Sequence, residues 1–238
     1  MRRRRGLAAL GLGSAALLLA PGDSSAHLFH KKYAPPETQL TRDARVLQLL
    51  VGDPTDRFEL ARSVYEGDTR VRLRSGAYRA WLRRPSEPGL VFKAHYQLNR
   101  WSGSLKTEAL RIDRERGTAL AARIEAGLGG RDGQTVLAAL RQMFLVLLGE
   151  LLESLWQRLD RAEVAARLYP YVSSYYGVNL EGHMNARHPS AATTARAALD
   201  TMARALPDPE TGAPASPEAF DRQRRRFVRV LSEAMGRL

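Results

Sequence analysis

The long stretch from Gln134 to Tyr169, which contains no helix breaker, constrains the fold most. It has no proline and a single glycine, and Pro170 follows it. On a helical wheel of about 100° per residue, Met143 to Leu148 is apolar on every side, whereas the second half carries a polar stripe. We therefore predict one long helix that ends at Pro170 and whose first half is enclosed on all sides.

The same stretch also allows a membrane span over Val136 to Trp156. Arg141, Glu150 and Glu153 argue against it, because charged side chains in the hydrocarbon region are costly. We interpret the two glutamates as members of solvated ion pairs with arginines of the same helix, not as a catalytic carboxylate pair.

Upstream of this stretch, apolar and polar residues alternate with a period of two, which is typical of strands with one buried face. Short turns separate the alternating runs, which are 69–74, 78–83, 90–98, 104–112 and 120–128. The predicted fold is therefore α+β, a five-stranded antiparallel meander packed on the long helix, with flanking N- and C-terminal helices. The last run is rich in alanine, so a helix over Thr118 to Leu128 is the alternative.

Helical spacing returns on both sides of this region. Thr41 to Tyr65 predicts two helices, with a break at Gly52-Asp53-Pro54 where Asp53 caps the second helix. Ser190 to Leu206 predicts a helix with an alanine-rich face. The last helix begins at Ser216-Pro217 and places apolar residues along one side and arginines along the other.

The first 26 residues show the order of a secretory signal peptide: four arginines, an apolar core too short for a membrane span, and a small polar segment. Without cysteine there is no lipid attachment point, no disulfide and no thiol nucleophile. We expect a periplasmic or secreted protein. Its expected organisation is a cleaved signal peptide over 1–26, a flexible lead-in over 27–40, the helical pair and meander over 41–128, and a helical part over 134–238 with a linker at 207–215.

The chain is basic, with 37 Lys and Arg against 25 Asp and Glu and a net charge of +12. Without the signal peptide it keeps 33 basic and 24 acidic residues, near +9. Such a surplus attracts anionic partners. For an exported protein we expect anionic lipid head groups, an acidic glycan or an acidic envelope protein, and no nucleic acid. The alternative is coding bias in a GC-rich genome, since only four of the basic residues are lysine.

The polar face of the predicted meander is the candidate docking surface for such a partner, because residues two apart in a strand share a face. Basic side chains with aromatic residues among them are typical of surfaces that bind anions. The members of this set are Arg70, Arg72, Arg74, Arg79, Trp81, Arg83, Lys93, His95 and Arg123.

A second candidate site lies in the segment Tyr169 to His188, which holds four of the eight tyrosines. We interpret the segment as a connection between helices, where binding residues often lie. Packing and capping at a helix junction is the alternative. The candidate polar residues are Tyr171, Tyr175, Tyr176, Asn179, Glu181, His183 and His188.

Two histidines lie at the predicted mature N-terminus. Cleavage after Ala26 would leave His27 with its amine and imidazole able to chelate copper(II), and His30 could add a nitrogen. A flexible terminus that happens to contain two histidines is the alternative.

The sequence has no glycine-rich phosphate loop, nucleophile elbow or zinc-binding helix motif, so we expect a binding protein and not an enzyme. The predicted function is an exported, soluble binding or accessory protein of the cell envelope that docks an anionic partner through arginines. The alternatives are a periplasmic carrier of a lipid or other apolar ligand, held between sheet and long helix, and a copper-binding protein.

Overall fold

The computed structural model describes residues 38–73, 92–97 and 103–236, with side chains at 38–71 and 103–236. These ranges contain nine helices and two strands. In chain order they are α1 (Gln39–Val51), α2 (Phe58–Glu66), β1 (Thr69–Leu73), β2 (Phe92–Gln97), α3 (Leu105–Arg116), α4 (Leu120–Gly129), α5 (Gly133–Trp156), α6 (Ala162–Asn179), α7 (Glu181–Arg187), α8 (Pro189–Arg204) and α9 (Pro217–Met235).

Helix α5 is the centre of the core. Each side chain from 143 to 148 is at most 8% exposed, so the predicted enclosure on all sides holds for this stretch. It does not extend over the whole first half of the predicted helix, since Gln134 is exposed and Leu137 and Arg141 are half-buried. Helices α1, α3, α4, α6 and α9 pack around α5. Burial of a Leu or Phe side chain contributes about 1.5–3 kcal/mol, so this helix holds the described part of the chain together.

By length and composition alone, α5 is also the one helix in the described ranges that could span a membrane. Half of its most apolar window is buried inside the protein. The core helix of a soluble protein satisfies the same criterion.

The prediction of one helix that ends at Pro170 was wrong in two ways: the segment forms two helices, and Pro170 does not end the second one. α5 ends at Trp156, and a turn over 157–160 separates it from α6. The Arg158 guanidinium donates to the Ser154 carbonyl and to the Ser154 hydroxyl, each at 2.8 Å, so it supplies a partner to a carbonyl that the helix end leaves open.

Pro170 lies inside α6, which continues to Asn179. A proline in a helix interior removes a backbone hydrogen bond. The helix persists because residues on both sides of the proline are anchored in the core: Ala165 and Val172 are fully buried.

The prediction of a five-stranded antiparallel meander was wrong. The described residues form only a two-stranded antiparallel sheet, β1 with β2. The predicted runs 104–112 and 120–128 are instead helices α3 and α4, and the run 78–83 lies outside the described residues.

In α3 and α4, helix caps and the helical spacing of buried residues outweighed the two-residue alternation of apolar and polar residues. The Ser104 hydroxyl caps α3 by accepting from the Thr107 N–H at 3.2 Å. Asp113 then accepts from the backbone N–H groups of Leu120 and Ala121 at 2.7 and 2.9 Å, which caps α4. Buried residues of α3 recur every three or four positions, at Leu105, Ala109 and Ile112.

The flanking helices are confirmed, with one change. α1 and α2 are separated at the predicted break, but α2 begins at Phe58 and Asp53 does not cap it. The Asp53 carboxylate accepts instead from the Thr55 N–H at 2.9 Å, a turn that short polar side chains favour. α8 and α9 form where predicted, each with proline in its first turn.

Candidate functional site

The described members of the predicted docking set do not share one sheet face, because the described residues form a two-stranded sheet in place of the predicted meander. Arg70 and Arg72 lie in β1, where they are in register with Tyr96 and Ala94. His95 is in register with Val71, and Lys93 also lies in β2.

Of the remaining members of the docking set, only Arg123 lies in the part of the chain that the structure describes. Arg123 lies in α4 and donates a hydrogen bond to Gln142 on α5. Arg74, Arg79, Trp81 and Arg83 lie outside the described residues. Anion binding by these residues stays a prediction.

A more coherent arginine cluster lies along α9. A groove with a cavity of about 940 Å³ runs beside this helix, and we call it the α9 groove. Its lining residues are Trp156, Pro217, Glu218, Asp221, Arg222, Gln223, Arg225, Arg226 and Arg229.

The sequence of α9 determines why these arginines point outward. Phe220, Phe227 and Leu231 are fully buried and fix one side of the helix in the core. The groove arginines are spaced by three or four residues, which places them on one helix face. Because that face lies opposite the buried side, the arginines are held at the surface without burial of charge.

Trp156 forms part of the groove wall and is held by two contacts. Its ring stacks on Phe220, with centroids 6.3 Å apart and planes 8° from parallel. The Arg224 guanidinium lies 5.6 Å from the centroid of the same ring. Arg224 also forms ion pairs with Glu153 at 2.6 Å and with Asp221 at 2.7 Å, so this arginine joins α9 to the end of α5.

Asp221 is one of the two acidic residues that line the groove. Hydrogen bonds from Arg225 and then from Arg224 lower the pKa of this carboxyl below its usual value. Its charge is therefore neutralised within α9, and it does not oppose an incoming anion.

Arg222, Arg226 and Arg229 are exposed and form no ion pair with any acid in the described ranges. The groove lining holds four arginines against Glu218 and Asp221, a surplus of two positive charges. The groove can therefore bind an anion without breaking an existing pair at these three arginines.

The tyrosine-rich segment is not a connection between helices, because α6 and α7 occupy most of it. Tyr176 is fully buried and its ring meets Phe227 edge-on, with centroids 5.4 Å apart. Tyr175 meets Phe144 in the same way at 5.6 Å, and Tyr171 is half-buried on α6. Two of the three tyrosines thus pack into the core.

The polar residues at the end of this segment divide into two groups. Glu181 pairs with Arg196 on α8. Asn179 and His183 line a cavity of about 290 Å³, which we call the His183 pocket, and the His188 ring centroid lies 6.0 Å from that of His183. The other lining residues are Gln48, Leu137, Leu140, Arg141, Val178 and Gly182.

Sequence reasoning did not assign Gln48 or Arg141 to a site. A usable signal existed for Arg141, since it is the lone charged residue in the apolar half of α5. No comparable signal marks Gln48, which reaches the pocket through the packing of α1 on α5 and α6.

The proposed copper ligands, His27 and His30, lie outside the described residues, so copper binding stays a prediction. Among residues 38–71 and 103–236, no group of three or more histidine and acidic side chains is placed to hold a metal ion.

Helices cover α5 where the carrier hypothesis required a sheet. That hypothesis therefore loses its proposed location, while apolar ligand binding itself stays a prediction. Comparisons of the chain with family models, with curated proteins and with solved structures find no match. The function has to be inferred from the residues of the chain itself.

Proposed function

We propose that the protein is an exported, non-catalytic binding protein that docks a carboxylate-rich segment of a partner protein in the α9 groove. The observation that supports this most is the row of Arg222, Arg226 and Arg229, which is exposed and makes no ion pair within the described residues. Export is proposed from the organisation of residues 1–26.

The geometry of the row suits carboxylates. Arg222 and Arg229 are two helical turns apart, about 10 Å at a rise of about 1.5 Å per residue. In an extended peptide, side chains on one face repeat every 6–7 Å, so roughly two acidic side chains fit this length. Guanidinium groups bind carboxylates with two parallel hydrogen bonds, which adds orientation to the charge attraction.

A polypeptide segment fits the groove better than a flat anionic membrane. The arginines line a concavity, which a chain can enter and a planar surface cannot. Trp156, the aromatic residue in the groove wall, stacks on Phe220 and is not free to insert into an interface.

The test is fluorescence anisotropy with a labelled glutamate-rich peptide of about ten residues, long enough at about 3.3 Å per residue to follow the groove. We expect binding that weakens as salt rises. Replacing Arg222, Arg226 and Arg229 by glutamine should weaken it about tenfold or more, at up to about 1 kcal/mol for each exposed pair.

The matched control replaces Arg114, Arg161 and Arg167 by glutamine. These arginines are also exposed and make no ion pair in the described part, so the control removes the same net charge elsewhere. Equal losses in the two triple variants would show that net charge and not the groove binds the peptide. If the groove variant instead lost binding to anionic vesicles or to an acidic polysaccharide and kept the peptide, the choice of partner would be wrong.

A further inference from the structure

Several basic side chains lie in or near the His183 pocket without an acidic side chain in the pocket lining. Arg141 enters from α5 and His183 from α7, and Arg187 and His188 lie close enough to His183 to affect its titration. No acidic residue lines the pocket, and none in the described ranges pairs with Arg141 or Arg187.

Without a counter-ion, the charged forms of Arg141 and His183 are destabilised in this pocket. Burial and the charge of Arg187 lower the pKa of Arg141, and burial, Arg141, His188 and Arg187 lower the pKa of His183. Both shifts have the same physical origin, since each group is partly desolvated and faces like charges. A bound anion would relieve both effects.

Two amide side chains, those of Gln48 and Asn179, line the same pocket as Arg141. The Gln48 amide donates to the Asn179 side-chain carbonyl at 2.8 Å, and the Asn179 amide donates to the Tyr175 carbonyl at 3.3 Å. Each amide NH₂ group has two hydrogens, so each keeps one available for an acceptor in the pocket. Their mutual hydrogen bond fixes the orientation of both.

The rest of the lining is apolar and comes from Leu137, Leu140 and Val178. A ligand that uses the whole lining therefore needs an anionic group at one end and a hydrocarbon part at the other. Inorganic phosphate would satisfy only the polar end.

We propose that the His183 pocket binds a small aliphatic carboxylate, with its carboxylate on Arg141 and the Gln48 and Asn179 amides and its chain against the leucines and valine. This site is separate from the α9 groove, and the inference does not depend on the proposed function. A cavity of about 290 Å³ restricts the ligand to a short chain.

The experiment is calorimetric titration of the full-length protein with hexanoate, with hexylammonium and inorganic phosphate as comparison ligands. We expect hexanoate to bind more tightly than either. Arg141→Met, which keeps the apolar stem, should weaken hexanoate binding about tenfold or more, because a hydrogen bond to a charged group is removed.

Arg187→Gln provides a second variant in case Arg141→Met fails to fold, because Arg187 is exposed and holds no structural pair in the described residues. It should weaken binding about two- to fivefold by loss of a nearby charge. Arg167→Gln, an exposed arginine on α6 remote from the lining residues, is the control and should bind like wild type.

Equal binding of hexanoate and hexylammonium would overturn the proposal, as would Arg141→Met or Arg187→Gln binding hexanoate like wild type. Phosphate binding as tightly as hexanoate would overturn the ligand class. The triple glutamine variant of the α9 groove should leave hexanoate binding unchanged, so the failure of one proposal can be told from that of the other.

Discussion

Gly133→Ala tests a close approach between helices α1 and α5. Gly133 is the first residue of α5, and a methyl group built on it would lie 2.6 Å from the Val51 carbonyl oxygen at the end of α1. Gly149, in the middle of α5, has nothing within 4 Å of the same position. The two glycines thus form a matched pair in one helix.

The two substitutions should change the free energy of unfolding in opposite directions. Ordinary contact begins near 3.4 Å, so an alanine at position 133 requires the α1 carbonyl to move away by about 0.8 Å. A displacement of this kind in a packed region costs about 1–3 kcal/mol. At Gly149 the methyl group meets open space, and alanine should stabilise the helix by about 0.5–1 kcal/mol.

The assay is thermal unfolding followed by circular dichroism. For a domain of this size, about 1 kcal/mol shifts Tm by about 2–4 °C. Gly133→Ala should therefore lower Tm by at least about 2 °C, and Gly149→Ala should raise it by about 1–4 °C. Equal Tm values for the two variants would show that α1 does not pack on the start of α5 as described.

Four other predictions concern single groups. Burial raises the pKa of the Asp113 carboxyl, but hydrogen bonds from Thr118, Ala121 and Leu120 outweigh it and hold that pKa below 3.8. Asp113→Ala should thus destabilise the protein by about 1 kcal/mol at pH 7, and urea titrations should show the difference from wild type shrinking as pH falls through the folded-state pKa, where the carboxylate is lost. Tyr176→Phe should leave the free energy of unfolding unchanged or raise it by up to about 1 kcal/mol, because its buried hydroxyl has no partner in the described residues, whereas Tyr169→Phe should lower it by about 1 kcal/mol, because the Tyr169 hydroxyl donates to the Leu199 carbonyl. Hexanoate affinity should rise as pH falls through the lowered pKa of His183, since the protonated ring adds a positive charge beside Arg141, and calorimetry on His183→Gln should show a smaller rise. N-terminal sequencing of protein from its host should give His27 as the first residue, and finding Met1 would contradict export.

Helical periodicity was the reliable part of the sequence. The apolar run in α5 predicted a segment buried on every side, and Phe220, Phe227 and Leu231 predicted the core side of α9. Such patterns survive folding because the period of 3.6 residues is set by the backbone itself.

Two-residue alternation was much less reliable. In Leu120 to Leu128 every second residue is apolar, yet the run contains three alanines, which also favour a helix. Asp113 supplies a cap to Leu120 and Ala121 from seven and eight residues upstream. A cap that depends on a side chain from the preceding helix is a tertiary feature and cannot be read from a local pattern.

The candidate sites depended on tertiary placement even more. The exposed side of α9 could be predicted, because arginines recur at helical spacing opposite the phenylalanines. The pairing of Asp221 with its neighbours, which leaves the other arginines free to bind, could not. The His183 pocket brings Gln48 together with Asn179, which is 131 residues away along the chain, and no local pattern encodes that.

Charge reversal tests the central claim most directly. Replacing Arg222, Arg226 and Arg229 by glutamate should abolish binding of the glutamate-rich peptide and create salt-sensitive binding of a lysine-rich peptide of the same length, both measured by anisotropy. The same reversal at Arg114, Arg161 and Arg167 should leave the glutamate-rich peptide bound. Retention of that peptide by the reversed groove, in protein with an unchanged circular dichroism spectrum, would contradict the account.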